Sequence, residues 1–357
     1  MKNNKKNKVN SWIFASFCFL VLIIGIMVYI NKDDCQSRTI TFTDVGFDTP
    51  VSFQAVCSQE EFDTYADIVK NTFQTQNKVF NAYDETSDLY KINQNASKQA
   101  MPIPDTLEEC IRISQQAYEL YPKFDISQGK LLKAWHNVRE NFTSIDEIIN
   151  FNYPYGMESI HIEDHHIHFS QDIELDLGGI AKGYTANLCK ERLNEAGLHN
   201  GFINAGGNVV LLGQKIDNEP WTIGIQSPDN ESSLVQITVS KPTSFVTSGD
   251  YQRYADIDGK RYGHIIDPQT KMPAEYVRSV TVIHDDSAWA DAMSTTLFCM
   301  SLEEGLQFCQ EHDLQAIWIV DAEDSHSIKP QLTTNQYSIY TTKKTQNSVE
   351  LSQNFTN

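Results

Sequence analysis

The 357-residue chain predicts an α+β fold, with mixed or antiparallel sheets and packed helices, preceded by one transmembrane helix. Three observations predict it. Segments of period-two alternation come in runs and segments with apolar residues at helical spacing come in blocks, unlike the regular strand–helix alternation of a parallel sheet. A nineteen-residue apolar run, Trp12 to Ile30, stands ahead of the body. Hydrophobic residues make up 40% and aromatics 11% of the chain, enough for a large core in one or two domains.

The elements follow in order. At ~1.5 Å per residue, a helix over 12–30 spans about the thickness of a bilayer core. Lys2, Lys5, Lys6 and Lys8 precede it, and Lys32, Asp33 and Asp34 follow. The positive-inside rule leaves residues 1–11 in the cytoplasm and exports the body. A cleaved signal peptide is the rival reading. However, no small-x-small site stands after Ile30, and neither Cys18 nor Cys35 sits where a lipoprotein signal needs its cysteine. The expectation is an uncleaved single-pass anchor in the cell membrane, a linker over 31–38, an extracytoplasmic domain over 39–340, and a polar tail over 341–357 that frays.

Within the body, Ser37 to Phe47 and Val51 to Cys57 alternate and predict a starting hairpin. Phe62, Ala66, Val69, Phe73 and Val79 predict a helix over 60–80, and Leu107, Ile111, Ala117 and Leu120 one over 106–121. A short helix begins at 144–150. Ser159 to Phe169 reads as a hairpin whose apolar face is Ile160, Ile162, Ile167 and Phe169. Its four histidines, His161, His165, His166 and His168, then fall on the solvent side or the turn; metal binding is the alternative. A helix runs from a turn at Asp176 to about Ala196. Strands are expected at 201–212 (broken by Gly206-Gly207), 221–225, 234–239, 244–247, 252–257, 280–284 and 315–320, and helices at 287–300 and 302–312. Asp258-Gly259 reads as a hairpin turn.

The formal net charge is -19, from 28 basic and 47 acidic residues, and four of the basic ones lie ahead of the apolar run. A body this acidic repels phosphate backbones and excludes a nucleic-acid partner. The seven cysteines show no metal-binding spacing. Export permits disulfides. Cys35 with Cys57 is then a conceivable pair, while Cys110, Cys189 and Cys299 sit in amphipathic runs as buried thiols.

Three short strings carry the chemistry. In Asp176 to Tyr184, D-L-G-G-I-A-K-G-Y, two glycines precede a helix whose free amides can meet phosphate, and Lys182 adds positive charge in the first turn. A glycine turn with an exposed lysine is the alternative. In His264 to Thr270, H-I-I-D-P-Q-T, a histidine follows a strand and can act as general base, or can be a capped core residue. In Asp291 to Thr296, D-A-M-S-T-T, Asp291 and Thr295 lie at i and i+4 on one helix face. A carboxylate and a hydroxyl there suit Mg2+, which takes hard oxygen ligands and few of them from protein. An acid interacting with the helix dipole is the alternative.

Together and in this order, the strings resemble the signatures of the FAD:protein FMN transferase (ApbE) family. Further matching stretches are Asn81 to Asn93, Lys123 to Leu131 with Trp135, Asn204 to Asn208, and Thr247 to Tyr254; the likeness covers roughly residues 40 to 320. The resemblance implies that the carbonyl of Gly179, the carboxylate of Asp291 and the hydroxyl of Thr295 hold Mg2+. It implies that His264 is the catalytic residue and that Phe124, Asp125, Asp176, Lys182, Ser248 and Ile265 contact the flavin nucleotide. It also implies FAD as substrate and a redox protein with a threonine (or serine) hydroxyl as acceptor of FMN, with AMP released. An FAD pyrophosphatase using the same site, and a non-catalytic flavin-binding protein, are the alternatives. The chain departs from the family pattern at Lys271, where glycine is usual, and at Asn208, where aspartate is usual.

Overall fold

The computed structural model describes residues 35–357, apart from 142–144, 146, 147, 149, 231, 252, 258, 356 and 357. The expected anchor over 12–30 and basic segment over 1–11 lie outside the described residues, as does most of the expected helix at 144–150. Among the described residues, no helix is long and apolar enough to cross a membrane.

Alternation builds the centre of the molecule. A nine-stranded sheet runs in the order Gln36–Phe42, Val51–Cys57, Phe202–Ala205, Asn208–Leu211, Ser244–Gly249, Ser279–His284, Gln315–Asp321, Tyr337–Thr341 and Leu332–Thr333. Every neighbouring pair is antiparallel. Successive residues of a strand point to opposite faces, and both faces of this sheet are covered. Ala316, Trp318 and Val320 face the main helical core, while Ile317 and Ile319 face a second apolar layer. That second layer is completed by Ile225, Leu234, Val235 and Ile237 of the three-stranded sheet Val349–Leu351, Ser233–Val239, Trp221–Gln226. Burial on both faces is why the 315–320 strand reads as an almost unbroken apolar run.

The helices are α1 (Gln59–Phe80), α2 (Asp88–Asn95), α3 (Asp105–Leu120), α4 (Gly129–Asn141), α5 (Ala181–Glu195), α6 (Ser287–Phe298) and α7 (Leu302–Glu311). Their starts follow from local chemistry. Ser58 with Glu61 and Ser301 with Glu304 form capping boxes for α1 and α7, and Asp286 caps α6 through the amides of Ala288 and Trp289. The histidine-bearing hairpin forms as expected from Ile160–Glu163 and His166–Phe169. Asp164 and His165 make its tight turn at φ 48° and 56°, and His161, His165 and His166 are exposed.

One expectation needs correction. The tail over 341–357 is not frayed through its described length: Val349–Leu351 pairs antiparallel with Ser233–Val239, and Val349 is buried in the second apolar layer. Its alternation supplies an edge strand that the 221–239 hairpin lacks on its own. Helix α4 was not expected. Leu131, Trp135 and Val138 are its buried stripe at i, i+4 and i+7. Cys35 is exposed and Cys57 buried at the open end of the first hairpin, both as free thiols; Cys110, Cys189 and Cys299 are buried.

Candidate active site

The site is built where α5 and α6 meet. A Cβ on Gly183 would stand 2.2 Å from the carbonyl oxygen of Ser287 and 2.6 Å from Cβ of Asp291, so only glycine lets these helices touch here. The close approach brings the Gly183 amide to Oδ2 of Asp291 at 2.8 Å. Asp291 is buried, one turn inside α6, and its carboxylate binds another helix's amide. It is therefore not an acid stationed at its own helix terminus. One turn further along α6, Thr295 lies 3.4 Å from the carbonyl oxygen of Gly179 through its hydroxyl. Gly179 is pressed between Thr295 and Phe124; an added Cβ would stand 3.2 Å from each. Residues separated by more than a hundred positions thus bring a carbonyl, a carboxylate and a hydroxyl to one place.

That donor set fits a hard divalent cation. All three atoms are oxygens and only one carries charge, which suits Mg2+ shared with phosphate oxygens of a ligand. One carboxylate oxygen of Asp291 is held by Gly183, leaving Oδ1 for a cation. Among the described residues no cluster of three or more histidine, cysteine or acidic side chains could hold a metal instead. Ser294 braces the site, donating to the carbonyl of Asp291 at 3.0 Å and lying 2.9 Å from the hydroxyl of Ser248. Ser248 is thereby a buried prop under α6.

His264 sits at the base of the hairpin Tyr254–Ile257 and Lys260–Gly263, one rung below the Tyr254–Gly263 pair. Its Nδ1 meets the carbonyl of Arg253 at 3.2 Å. A carbonyl only accepts, so Nδ1 carries the hydrogen and Nε2 keeps its lone pair. Desolvation, followed by the charges of Lys182, Arg253 and Arg139, lowers the ring pKa from 6.5 to about 3. The ring is half-buried, and its desolvation favours the neutral base. The unfolded chain binds this proton below its ordinary pKa of 6.5 and the folded chain does not. Stability should therefore fall as pH drops from about 6.5 toward 3. Thermal unfolding of wild type and His264→Gln at pH 7 and 5 checks this. The wild type should lose more stability than the variant; parallel losses would remove the effect from His264.

The flavin-contacting residues expected from the sequence divide into two groups. Asp176 stands at the mouth, its Oδ1 accepting from the Gly178 amide at 2.7 Å and its Oδ2 from the Tyr83 hydroxyl at 2.9 Å. Lys182 reaches back to the Gly178 carbonyl at 3.3 Å and acts on His264. Phe124 touches Gly179. Asp125, in contrast, is occupied in its own turn: it accepts from the amide and hydroxyl of Ser127 at 2.9 and 2.6 Å and from Gln128 at 2.8 Å. It shapes the loop that presents Phe124. Ile265 is half-buried against the main core, and its carbonyl accepts from Ala274 at 2.9 Å.

Asp267 lies in the string that begins at His264. Its carboxylate accepts from Lys123 at 2.9 Å, Tyr276 at 3.0 Å and the Gln269 amide at 2.8 Å, and the Lys123–Asp267 pair is almost wholly buried. It ties the Phe124 loop to the His264 loop. Lys123→Met would strand the Asp267 charge. The expected loss is about 3–5 kcal/mol of stability, read from denaturant unfolding, with a much smaller loss when Asp267→Leu is added to remove the orphan.

The model of the ApbE family matches residues 47–318. The chain belongs to the ApbE family. The FAD:protein FMN transferase of Vibrio cholerae is 30% identical over 276 residues, covering 72% of this chain and 81% of that protein. One from Klebsiella pneumoniae is 39% identical over 163 residues, 44% of this chain and 49% of its own. Among solved structures, the ApbE protein of Thermotoga maritima superposes with TM-score 0.69 at 27% identity, over 79% of this chain and 94% of its own. The apo flavinyl transferase ApbE of Pseudomonas stutzeri, at 23% identity, shares the fold with TM-score 0.72 over 88% of this chain and 97% of its own.

The departure from the ApbE pattern at Lys271 has a local account. Lys271 holds φ at 61°, the left-handed region that favours glycine. Its amide donates to Asp267 at 2.8 Å, its carbonyl accepts from Trp135 at 2.8 Å, and its ammonium donates to the Phe151 carbonyl at 2.8 Å. Those bonds hold the conformation without glycine. Asn208 is buried, and its Nδ2 has no partner among the described residues. Three residues that act on Asp176 or His264 were not singled out from the sequence: Tyr83, Arg139 and Arg253. Tyr83 and Arg253 lie inside matched strings; Arg253 donates to the carbonyls of Phe47 and Asp48 at 2.6 and 2.8 Å. Arg139 lies on the unexpected helix α4, and no motif marks it.

Proposed function

We propose that this chain transfers FMN from FAD to a threonine or serine hydroxyl of an extracytoplasmic redox protein and releases AMP. The observation that carries the reading is the meeting of Gly179, Asp291 and Thr295 at the contact of α5 and α6, with the charges of Lys182, Arg253 and Arg139 acting on His264. Shared family membership with FAD:protein FMN transferases supports the reaction class. Gly179, Asp291 and Thr295 would hold Mg2+, which when bound neutralises charge developing on the pyrophosphate.

The chain's own residues do the rest. Tyr83 offers exposed aromatic surface, Phe124 backs Gly179 from the core, and Asp176, which already accepts from Gly178 and Tyr83, keeps further lone pairs for a ring edge or sugar. Lys182 and Arg253 attract the pyrophosphate despite the acidic surface. Nε2 of His264 accepts the proton of the acceptor hydroxyl as its oxygen bonds to the FMN phosphorus. The bond from that phosphorus to the bridging oxygen breaks, and AMP leaves with the bridging oxygen. Incubation with FAD and Mg2+, with and without a threonine-bearing acceptor domain, tests this by its products. AMP release that needs the acceptor supports transfer. Free FMN and AMP without acceptor would make the chain a pyrophosphatase, and unchanged FAD would make it a binder.

The placement outside the cell membrane rests on Trp12 to Ile30 and the lysines ahead of it. Full-length protein should stay in the membrane fraction after a carbonate wash, and protease added to intact cells should digest the body. A soluble chain lacking residues 1–30 would mean a cleaved signal instead.

A further inference from the structure

We infer that Arg139 is a substrate-binding residue of this site, its guanidinium gripping the pyrophosphate of FAD. The inference rests on the FAD-cleaving reading above and adds a residue that no motif singles out. Helix α4 carries His136 and Arg139 at i and i+3, so they share a face. His136 packs on the ring of Tyr83, with centroids 4.9 Å apart, which turns that face toward the site mouth. Of the acids that act on Arg139, Asp176 already accepts from the Gly178 amide through Oδ1 and the Tyr83 hydroxyl through Oδ2, and Glu140 is exposed. Nη1 of Arg139 is buried with no hydrogen-bond partner among the described residues. An orphaned cationic donor carries a desolvation cost, and a site that tolerates one has a use for it.

The chemistry of the surroundings names the ligand. Asp176 and Tyr83 act on Arg139, and the charge of Arg139 reaches His264 along with those of Lys182 and Arg253. The charges of three cations act on His264 in a chain of net charge -19, and that local excess of positive charge suits a multiply charged anion. A guanidinium presents parallel N–H donors that match phosphate oxygens, whereas the neutral flavin ring has no charge to meet it.

The test compares FAD with riboflavin, which has the same ring and no phosphate, by flavin fluorescence on the full chain without added divalent cation. Arg139→Gln should weaken FAD binding by about 10–100-fold and leave riboflavin unchanged. Arg139→Lys should lose several-fold for FAD only, because a point charge replaces a fork. Equal weakening of both flavins would assign Arg139 to packing and overturn the proposal, as would FAD affinity unchanged in both variants. Should the glutamine variant fail to unfold cooperatively, the lysine variant decides by the same FAD-to-riboflavin ratio. Wild type binding neither flavin would overturn the functional reading itself, and this inference with it.

Discussion

Asp291→Asn is expected to lower FMN transfer by about 10³-fold or more while the protein stays folded. Asp291 is the only charged member of the oxygen set at Gly179, Asp291 and Thr295. Electrostatic stabilisation of a transferring phosphoryl group by a bound cation is worth several kcal/mol, and about 4 kcal/mol is a thousandfold in rate. Asparagine keeps an oxygen for the Gly183 amide, now 2.8 Å from Oδ2, so the contact between α5 and α6 survives. Asp291→Ala should be equally inactive but less stable, because it orphans that buried amide. Initial rates across a Mg2+ series check the expectation. Near-wild-type turnover of Asp291→Asn at low Mg2+ would remove the cation from this place.

His264→Ala carries the second large effect, a fall in transfer rate of about 10²–10⁴-fold with little change in FAD affinity. An alcohol is a poor nucleophile at neutral pH, and a base contributes only if it is unprotonated there. Burial and the neighbouring cations keep this ring neutral, with its pKa lowered to about 3, and the Arg253 carbonyl fixes the tautomer that leaves Nε2 free. The role is proton transfer, so the loss should appear in kcat. Steady-state kinetics with a separate FAD titration distinguish the cases. Equal loss of FAD binding would assign His264 to the flavin pocket, and an unchanged rate would leave the hydroxyl to be activated by another group.

What the sequence made legible follows from what local pattern encodes. The first hairpin, the histidine hairpin and the 315–321 strand were readable because period-two alternation or a doubly buried run fixes them. The i, i+4 relation of Asp291 and Thr295 was readable because it lies within one helix. Tyr83 with Asp176 and Lys123 with Asp267 were not, because the partners stand 93 and 144 residues apart and meet only through tertiary packing. Helix α4 had the right stripe in Leu131, Trp135 and Val138, but its neighbouring flavin-contact string drew the reading. The tail was misread because its polar composition hid the alternation of Val349 and Leu351, whose apolar partners lie in the 233–239 strand.

Peptide mapping of an acceptor redox domain after incubation with this chain, FAD and Mg2+ tests the central claim most directly. The account predicts FMN joined through phosphate to one threonine or serine hydroxyl, AMP released in equal amount, and no modified peptide with Asp291→Asn. An unmodified acceptor alongside complete conversion of FAD to free FMN and AMP would contradict it.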